Sequence, residues 1–180
     1  MKKERIGFAF CGSFCTHARC LNVLEILAKQ YEIQPIMSET VYNTDTRFGT
    51  AKELCTRVEE LCQKPIIHTI VQAEPLGPKT PLDLLIIAPC TGNTLSKMAN
   101  GITDTAVTMA AKAHLRSDRP LLIALATNDA LSANLGNIAA MSNRKHVTMV
   151  PMKKDDPVHK PYSLIADFEK IPSIVPQLLG

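Results

Sequence analysis

The feature that most constrains this chain is the stretch LDLLIIAPCTGNTLSKMANGITD, Leu82 to Asp104. Its apolar start, Leu82 to Ala88, is too short to span a bilayer and rich in β-formers, so it reads as a strand buried on both faces. Pro89 is expected to stop that strand. Cys90, Thr91 and Gly92 make a small polar loop, Asn93 and Thr94 supply helix N-cap chemistry, and Gly101 closes the helix. Asp104 is expected to cap the next one. A buried strand that runs through a tight polar loop into a helix N-terminus is where α/β proteins bind anionic ligands, because first-turn amides point into the crevice.

The rest of the chain repeats the pattern. Arg5 to Phe10 is the first strand, followed by Cys11-Gly12-Ser13-Phe14-Cys15-Thr16 and a helix over 17–30 with Leu21, Leu24, Leu27 and Ala28 inward. Gly12 permits close backbone approach, and Ser13 or Thr16 is the expected cap. The second strand is Ile33 to Met37, and the Ser38 after it faces the same sheet edge. A loop over 43–49 leads to a helix over 50–63 with Leu54, Val58 and Leu61 inward. A third strand is read at Ile66 to Val71, containing His68, whose commoner role is structural. The proline-rich QAEPLGPKTP is a stiff loop. After the organising stretch come a helix over 105–115, a strand from Leu121 to Ala126, a helix over 132–142 and a strand from Val147 to Val150. The segments around 164–168 and 171–179 read as a helix or two closing over the sheet. Alternating strands and helices predict a doubly wound, Rossmann-like parallel sheet with helices on both faces. The expected unit is one domain over 1–180, with a core over 5–150 and a closing segment over 151–180.

Composition excludes several classes. A net charge of +3 without a basic block gives no footprint for nucleic acid. No apolar run has transmembrane length, and the apolar segment after the N-terminal lysines is only a strand long, so a cytoplasmic protein is expected. Cys11, Cys15 and Cys20 have poor zinc spacing, and no metal site is predicted. The six cysteines are read as free thiols.

Ala88 to Asp104 resembles the A-P-x-S/T-x-N-T-x-x-K-x-A-x-G-x-x-D signature of the FMN-binding flavoproteins, which include phosphopantothenoylcysteine decarboxylases and flavin prenyltransferases. Within that family, the stretches IGFAFCGSFCTH, EPLGPKTPLDLLIIAPCTGNT and DDPVHKP resemble the flavoprotein subunits of two-subunit synthases that make a pyridine dicarboxylate in sporulating bacteria. The resemblance implies a homo-oligomer built from trimers with FMN at the edge between protomers. It also implies a dehydrogenase-like partner that carries NADP, a small dicarboxylate substrate, and a cytoplasmic location in the mother cell. By the family pattern, Gly12, Ser13 and Ser38 hold the FMN phosphate, and Pro89, Thr91, Asn93 and Thr94 lie near it or the ribityl chain.

The departures bear on chemistry. The decarboxylases carry a histidine before the central strand; the corresponding place here falls near Glu74 and Pro75. Their P-x-M-N-x-x-M loop appears as Leu125 to Leu131 with only Asn128 kept. Asn128 and Cys90 are the catalytic candidates in an oxidoreductase reading, although Cys90 is more simply core filler and Lys97 a solvated surface lysine. The alternatives are a non-catalytic scaffold for the dehydrogenase-like partner, or a decarboxylase whose acid or base is His68 or Glu74.

Overall fold

The computed structural model describes residues 3–180. Strands β1 (Arg5–Phe10), β2 (Glu32–Met37), β3 (Leu84–Cys90), β4 (Leu121–Thr127) and β5 (Val147–Met149) are parallel neighbours in the order β2-β1-β3-β4-β5. Helices α1 (His17–Ala28), α3 (Ala51–Cys62) and α8 (Ile171–Leu179) belong to one side of the sheet; α5 (Gly92–Ala99), α6 (Ala106–Leu115) and α7 (Leu135–Ser142) belong to the other. Alternation along the strands builds the two cores. Ile6, Phe8 and Phe10 pack with Leu24, Leu27 and Val58, whereas Ala9 and Cys11 pack with Leu95, Val107 and Ala110.

Strand β4 carries more than parallel pairing. Its first half pairs with β5, and its last residues pair antiparallel with β7 (Leu164–Ala166), which pairs antiparallel with β6 (Met152–Lys154). The closing segment is therefore part hairpin, not all helix: Leu164 to Ala166 is a strand, and the helical part is a 3-10 turn over Phe168–Lys170 that leads into α8. The free edge of β4 beyond the short β5 offered unpaired amides, and a short segment centred on β-branched Ile165 took them.

Other expectations are corrected locally. Pro89 lies inside β3, joined to Ala88 by a cis bond, and the ladder with β4 slips between Ile87 and Cys90. Ile66 to Val71 is no strand. Ile67 makes one bridge to Ile36, and Thr69 then starts a short helix, α4 (Ile70–Ala73), through a capping box with Gln72. That reciprocal cap outweighs the β-propensity of Ile70 and Val71. Glu74 to Leu76 continues it as a 3-10 turn within the proline-rich loop. Thr105, not Asp104, caps α6, and Thr91, not Asn93 or Thr94, caps α5. Gly101 does close α5, with φ +73 and its amide bonded to Met98. A short α2 (Glu39–Asn43) opens the loop after β2. No described helix is long and apolar enough to cross a membrane.

Candidate functional site

In a doubly wound sheet of order 2-1-3-4-5, the chain leaves β1 and β3 toward opposite faces, and the crevice between their C-terminal ends receives ligands. Here those ends are tied by the Cys11 amide donating to the Pro89 carbonyl at 3.1 Å. An open cleft of about 670 Å³ lies over this point. It has the size of a small-molecule or cofactor site. Its lining includes Ser13, Thr91, Gly92 and Asn93 from the loops after β1 and β3, Thr127 and Asn128 from the end of β4, Arg19 from α1, and Asp155, Lys160 and Ser163 from the tail. A cavity of about 300 Å³ between α1 and α3 shares Cys15 with it but lies away from the switch point.

The β1–α1 loop is shaped for an anion. Ser13 has φ 65 and ψ 49, a left-handed conformation uncommon for serine, and the turn that follows is right-handed. Successive amides in such an arrangement converge on one point. Neither Ser13 nor Thr16 caps α1 with its side chain; the Thr16 hydroxyl instead donates to the Ser13 carbonyl at 2.8 Å. First-turn amides of α1 thus lack a side-chain acceptor. His17 secures the loop from below. Its Nε2 donates to the Cys11 carbonyl at 2.8 Å, its ring stands edge-on to Phe10, and burial lowers its pKa.

The loop after β3 meets this one at close quarters. A Cβ on Gly12 would lie 3.3 Å from Thr91 Cγ2. Thr91 Oγ1 accepts from the Thr94 amide at 3.1 Å and donates to Thr94 Oγ1 at 3.0 Å, and the Thr94 hydroxyl reaches Cys11 Sγ at 3.4 Å. Thr94 is buried, so it fixes the start of α5 and does not face the cleft. Asn93 is exposed on the first turn, and its side chain has no hydrogen bond among the described residues.

Beyond β4, Asp129 accepts from the Thr127 hydroxyl at 2.5 Å and from the Asn134 amide at 2.9 Å; both bonds hold its pKa below the usual carboxylate range. Gly92 is lodged against this cluster. The tail closes the cleft: buried Ser163 donates to the Thr127 carbonyl at 3.3 Å and contacts Asn128 Oδ1 at 3.5 Å. Asp156 accepts from the Val158 and His159 amides, making DDPVHKP a turn that carries Lys160 paired with Asp155 at 3.0 Å. Arg19 is held bidentately by Glu169 at 2.8 and 2.6 Å and lies 5.0 Å from the Phe168 ring centre.

Of the residues expected from the sequence, Ser13, Thr91, Asn93 and Asn128 line the cleft, with Gly12 next to Ser13. Ser38 is spent on capping α2, accepting from the Val41 amide at 3.3 Å, and does not line it. Pro89 is buried in β3. Cys90 is fully buried among Leu95 and Leu125, and burial drives its pKa well up. The slip after Ile87 explains this: Cys90 lands on the same face as Leu85 and Ile87, so its thiol points into the core. His68 stacks on Tyr42 at 3.7 Å, Glu74 is exposed, and neither lines the cleft. Lys97 pairs with Asp104 at 2.9 Å. Arg19, Lys160 and Asp155 also line the cleft, which the sequence reading did not anticipate. Only the DDPVHKP segment stands out in the sequence; nothing around Arg19 distinguishes it from an ordinary helix-surface arginine.

The arrangement defines a class. The chain belongs to the Flavoprotein family, whose profile matches residues 1–179. It is similar to the B subunit of dipicolinate synthase from Bacillus subtilis (strain 168), with 41% identity over 180 residues covering 99% of this chain and 90% of that protein. The crystal structure of the dipicolinate synthase B subunit from Bacillus halodurans C matches with a TM-score of 0.89 and 40% identity, covering 99% and 93% of the two chains. An FMN-dependent cysteine decarboxylase shares the fold at a TM-score of 0.70 and 21% identity, covering 98% and 95%. The decarboxylases are thus the more distant match.

Proposed function

We propose that this chain is the FMN-binding subunit of a dipicolinate synthase. It takes part in forming pyridine-2,6-dicarboxylate from a dihydrodipicolinate-type precursor during sporulation, in the cytoplasm of the mother cell. The observation that carries the reading is the cleft at the β1/β3 switch point, built in a chain similar along its whole length to a dipicolinate synthase flavoprotein. The residues there suit a flavin mononucleotide. Ser13, the Asn93 side-chain amide and those first-turn N–H groups of α1 and α5 not already taken, as the His17 amide is by the Phe14 carbonyl and the Thr94 amide by Thr91, offer neutral donors to a doubly charged phosphate at two helix N-termini. Gly12 and Gly92 keep Cβ atoms out of the floor.

Bound FMN would supply a hydride acceptor for removing two hydrogens from a dihydropyridine ring. The chain's own work is positional. Thr91 and Thr94 fix the start of α5, Asp129 and Asn134 brace Gly92, and Asn128 presents an amide to a substrate carboxylate or the ring edge. The tail loop shields that side from water. The dehydrogenase-like A subunit of the synthase, carrying NADP, is the proposed partner, and a homo-oligomer built from trimers the proposed assembly. We read residues 1–180 as one flavoprotein-like domain.

The first test is a visible absorbance spectrum of the purified chain before and after adding FMN. A flavin band that shifts on binding, and is lost in Ser13→Ala/Asn93→Ala, supports the reading. Absence of binding, with the dehydrogenase-like partner still needing this chain for activity, would leave a scaffold. The decarboxylase alternative has no histidine lining the cleft among the described residues to serve as its acid or base.

A further inference from the structure

The phosphate side of the cleft, with its neutral donors, does not use the cleft's two cationic side chains. Both line the cleft: Arg19 from the first turn of α1 and Lys160 from the tail turn. From this placement we propose that Arg19 and Lys160 form the binding site for the two carboxylates of the substrate, one cation to each. This rests on the function proposed above and adds the residues that select a dicarboxylate.

Arg19 is built as a fixed anchor. A guanidinium has five N–H donors in a planar fork, and Glu169 engages Nε and one Nη2 hydrogen only. Nη1 has no hydrogen bond among the described residues. Glu169 from one side and the Phe168 ring from another hold the side chain in one pose, so little rotamer freedom is lost when an anion binds. A planar fork matches a carboxylate in two-point geometry, which a lysine does not.

Lys160 is built differently. Its partner is Asp155, and both side chains are more than a third exposed, so the pair is weak and exchangeable. The turn that presents it is stiff: Asp156 accepts from three backbone amides, those of Val158 and His159 through its side chain and that of Lys160 through its carbonyl. A substrate carboxylate entering the cleft replaces Asp155 as the partner of Lys160. One fixed cation and one exchangeable cation discriminate a dicarboxylate from a monocarboxylate, because only the former engages both.

The test is calorimetric titration of the full FMN-loaded chain with pyridine-2,6-dicarboxylate and with pyridine-2-carboxylate, for the unaltered protein, Lys160→Gln and Arg19→Lys. In parallel, the complex with the dehydrogenase-like partner is assayed for dipicolinate formation. Each variant is expected to weaken dicarboxylate binding about tenfold or more, the loss of a charge-assisted hydrogen bond. Lys160→Gln is expected to leave monocarboxylate and FMN affinity within about twofold. Unchanged dicarboxylate affinity in both variants, or no binding to the unaltered FMN-loaded chain, overturns the inference even when the complex makes dipicolinate. Loss of FMN with normal dicarboxylate binding by the remaining holoprotein also overturns it, assigning the cations to the phosphate. A complex that forms no dipicolinate removes the underlying function instead. Should Arg19→Lys fail to fold, Lys160→Gln on its exposed turn decides.

Discussion

Gly92 and Asn134 stand so close that a Cβ built on the glycine would lie 2.5 Å from Asn134 Nδ2. The same Cβ would lie 2.6 Å from Thr127 Oγ1. Both atoms are held by Asp129, so neither can swing aside without giving up a hydrogen bond. Gly92→Ala is expected to lift the start of α5 off this cluster and cost about 1–3 kcal/mol. Thermal unfolding measures the cost. FMN titration should show weakened binding, since the floor of the cleft moves with the helix.

Thr91→Val removes the acceptor for the Thr94 amide and the link onward to Cys11. The expected loss is about 1 kcal/mol of stability, accompanied by weaker FMN binding. Thr91→Ser keeps the oxygen and is expected to retain both properties. Equal behaviour of the two variants in denaturant unfolding and flavin titration would show that the cap contributes nothing.

Asn128 is exposed at the cleft, and its Oδ1 meets the Ser163 hydroxyl at 3.5 Å, a weak contact. Asn128→Ala should therefore leave the fold intact. Turnover by the complex is expected to fall at least about tenfold, while the flavin stays bound. Steady-state kinetics against the flavin spectrum of the same sample checks both halves.

The cysteines offer a chemical test of the site. Cys15 is exposed at the cleft, whereas Cys11, Cys20 and Cys90 are buried, with burial pushing Cys11 up to about 11. Mild alkylation of the native protein should label Cys15 and spare those three. Cys90→Ala should leave turnover unchanged. Labelled-peptide mass spectrometry reads the first outcome; a large fall in turnover for Cys90→Ala would return the thiol to the mechanism.

Arg19 holds the Glu169 carboxyl down at about 2, from an ordinary 4.5. A depressed folded-state pKa stabilises the protein above about pH 4.5, and that stabilisation is lost as pH falls through about 2. Glu169 is largely exposed, so screening keeps the contribution to about 1 kcal/mol or less. Across this acid range, Glu169→Gln should show a shallower fall of Tm with decreasing pH than the unaltered chain.

Much of the fold was legible because its signals are local. The run from Leu84 to Ala88 has the two-faced hydrophobicity of a central strand, and Gly101 stands at the left-handed position where a helix ends. What was misread depended on partners distant in sequence. Nothing within 164–166 says that the exposed edge of β4 awaits a strand. Nothing around Pro89 says that the ladder slips there and turns Cys90 inward. At Thr69, a reciprocal cap with Gln72 overrode two β-branched residues. The site divides in the same way. Ser13, Thr91, Asn93 and Asn128 sit at the ends of strands, where topology alone brings them together. Arg19 and Lys160 come from the side of a helix and from a turn in the tail, and only the folded chain brings them to one cleft.

The antiparallel clamp of β7 on the end of β4 also gives the molecule an order of construction. Every parallel strand, and with them the floor of the crevice, lies before residue 150 in the chain. Because chains tend to organise from the N-terminus as they are made, the sheet can assemble while its ligand still has only a floor to rest on. The opposing wall arrives later, with the segment after residue 150. A cofactor captured early would be held by one side until Ser163 docks on Thr127 and shuts it in.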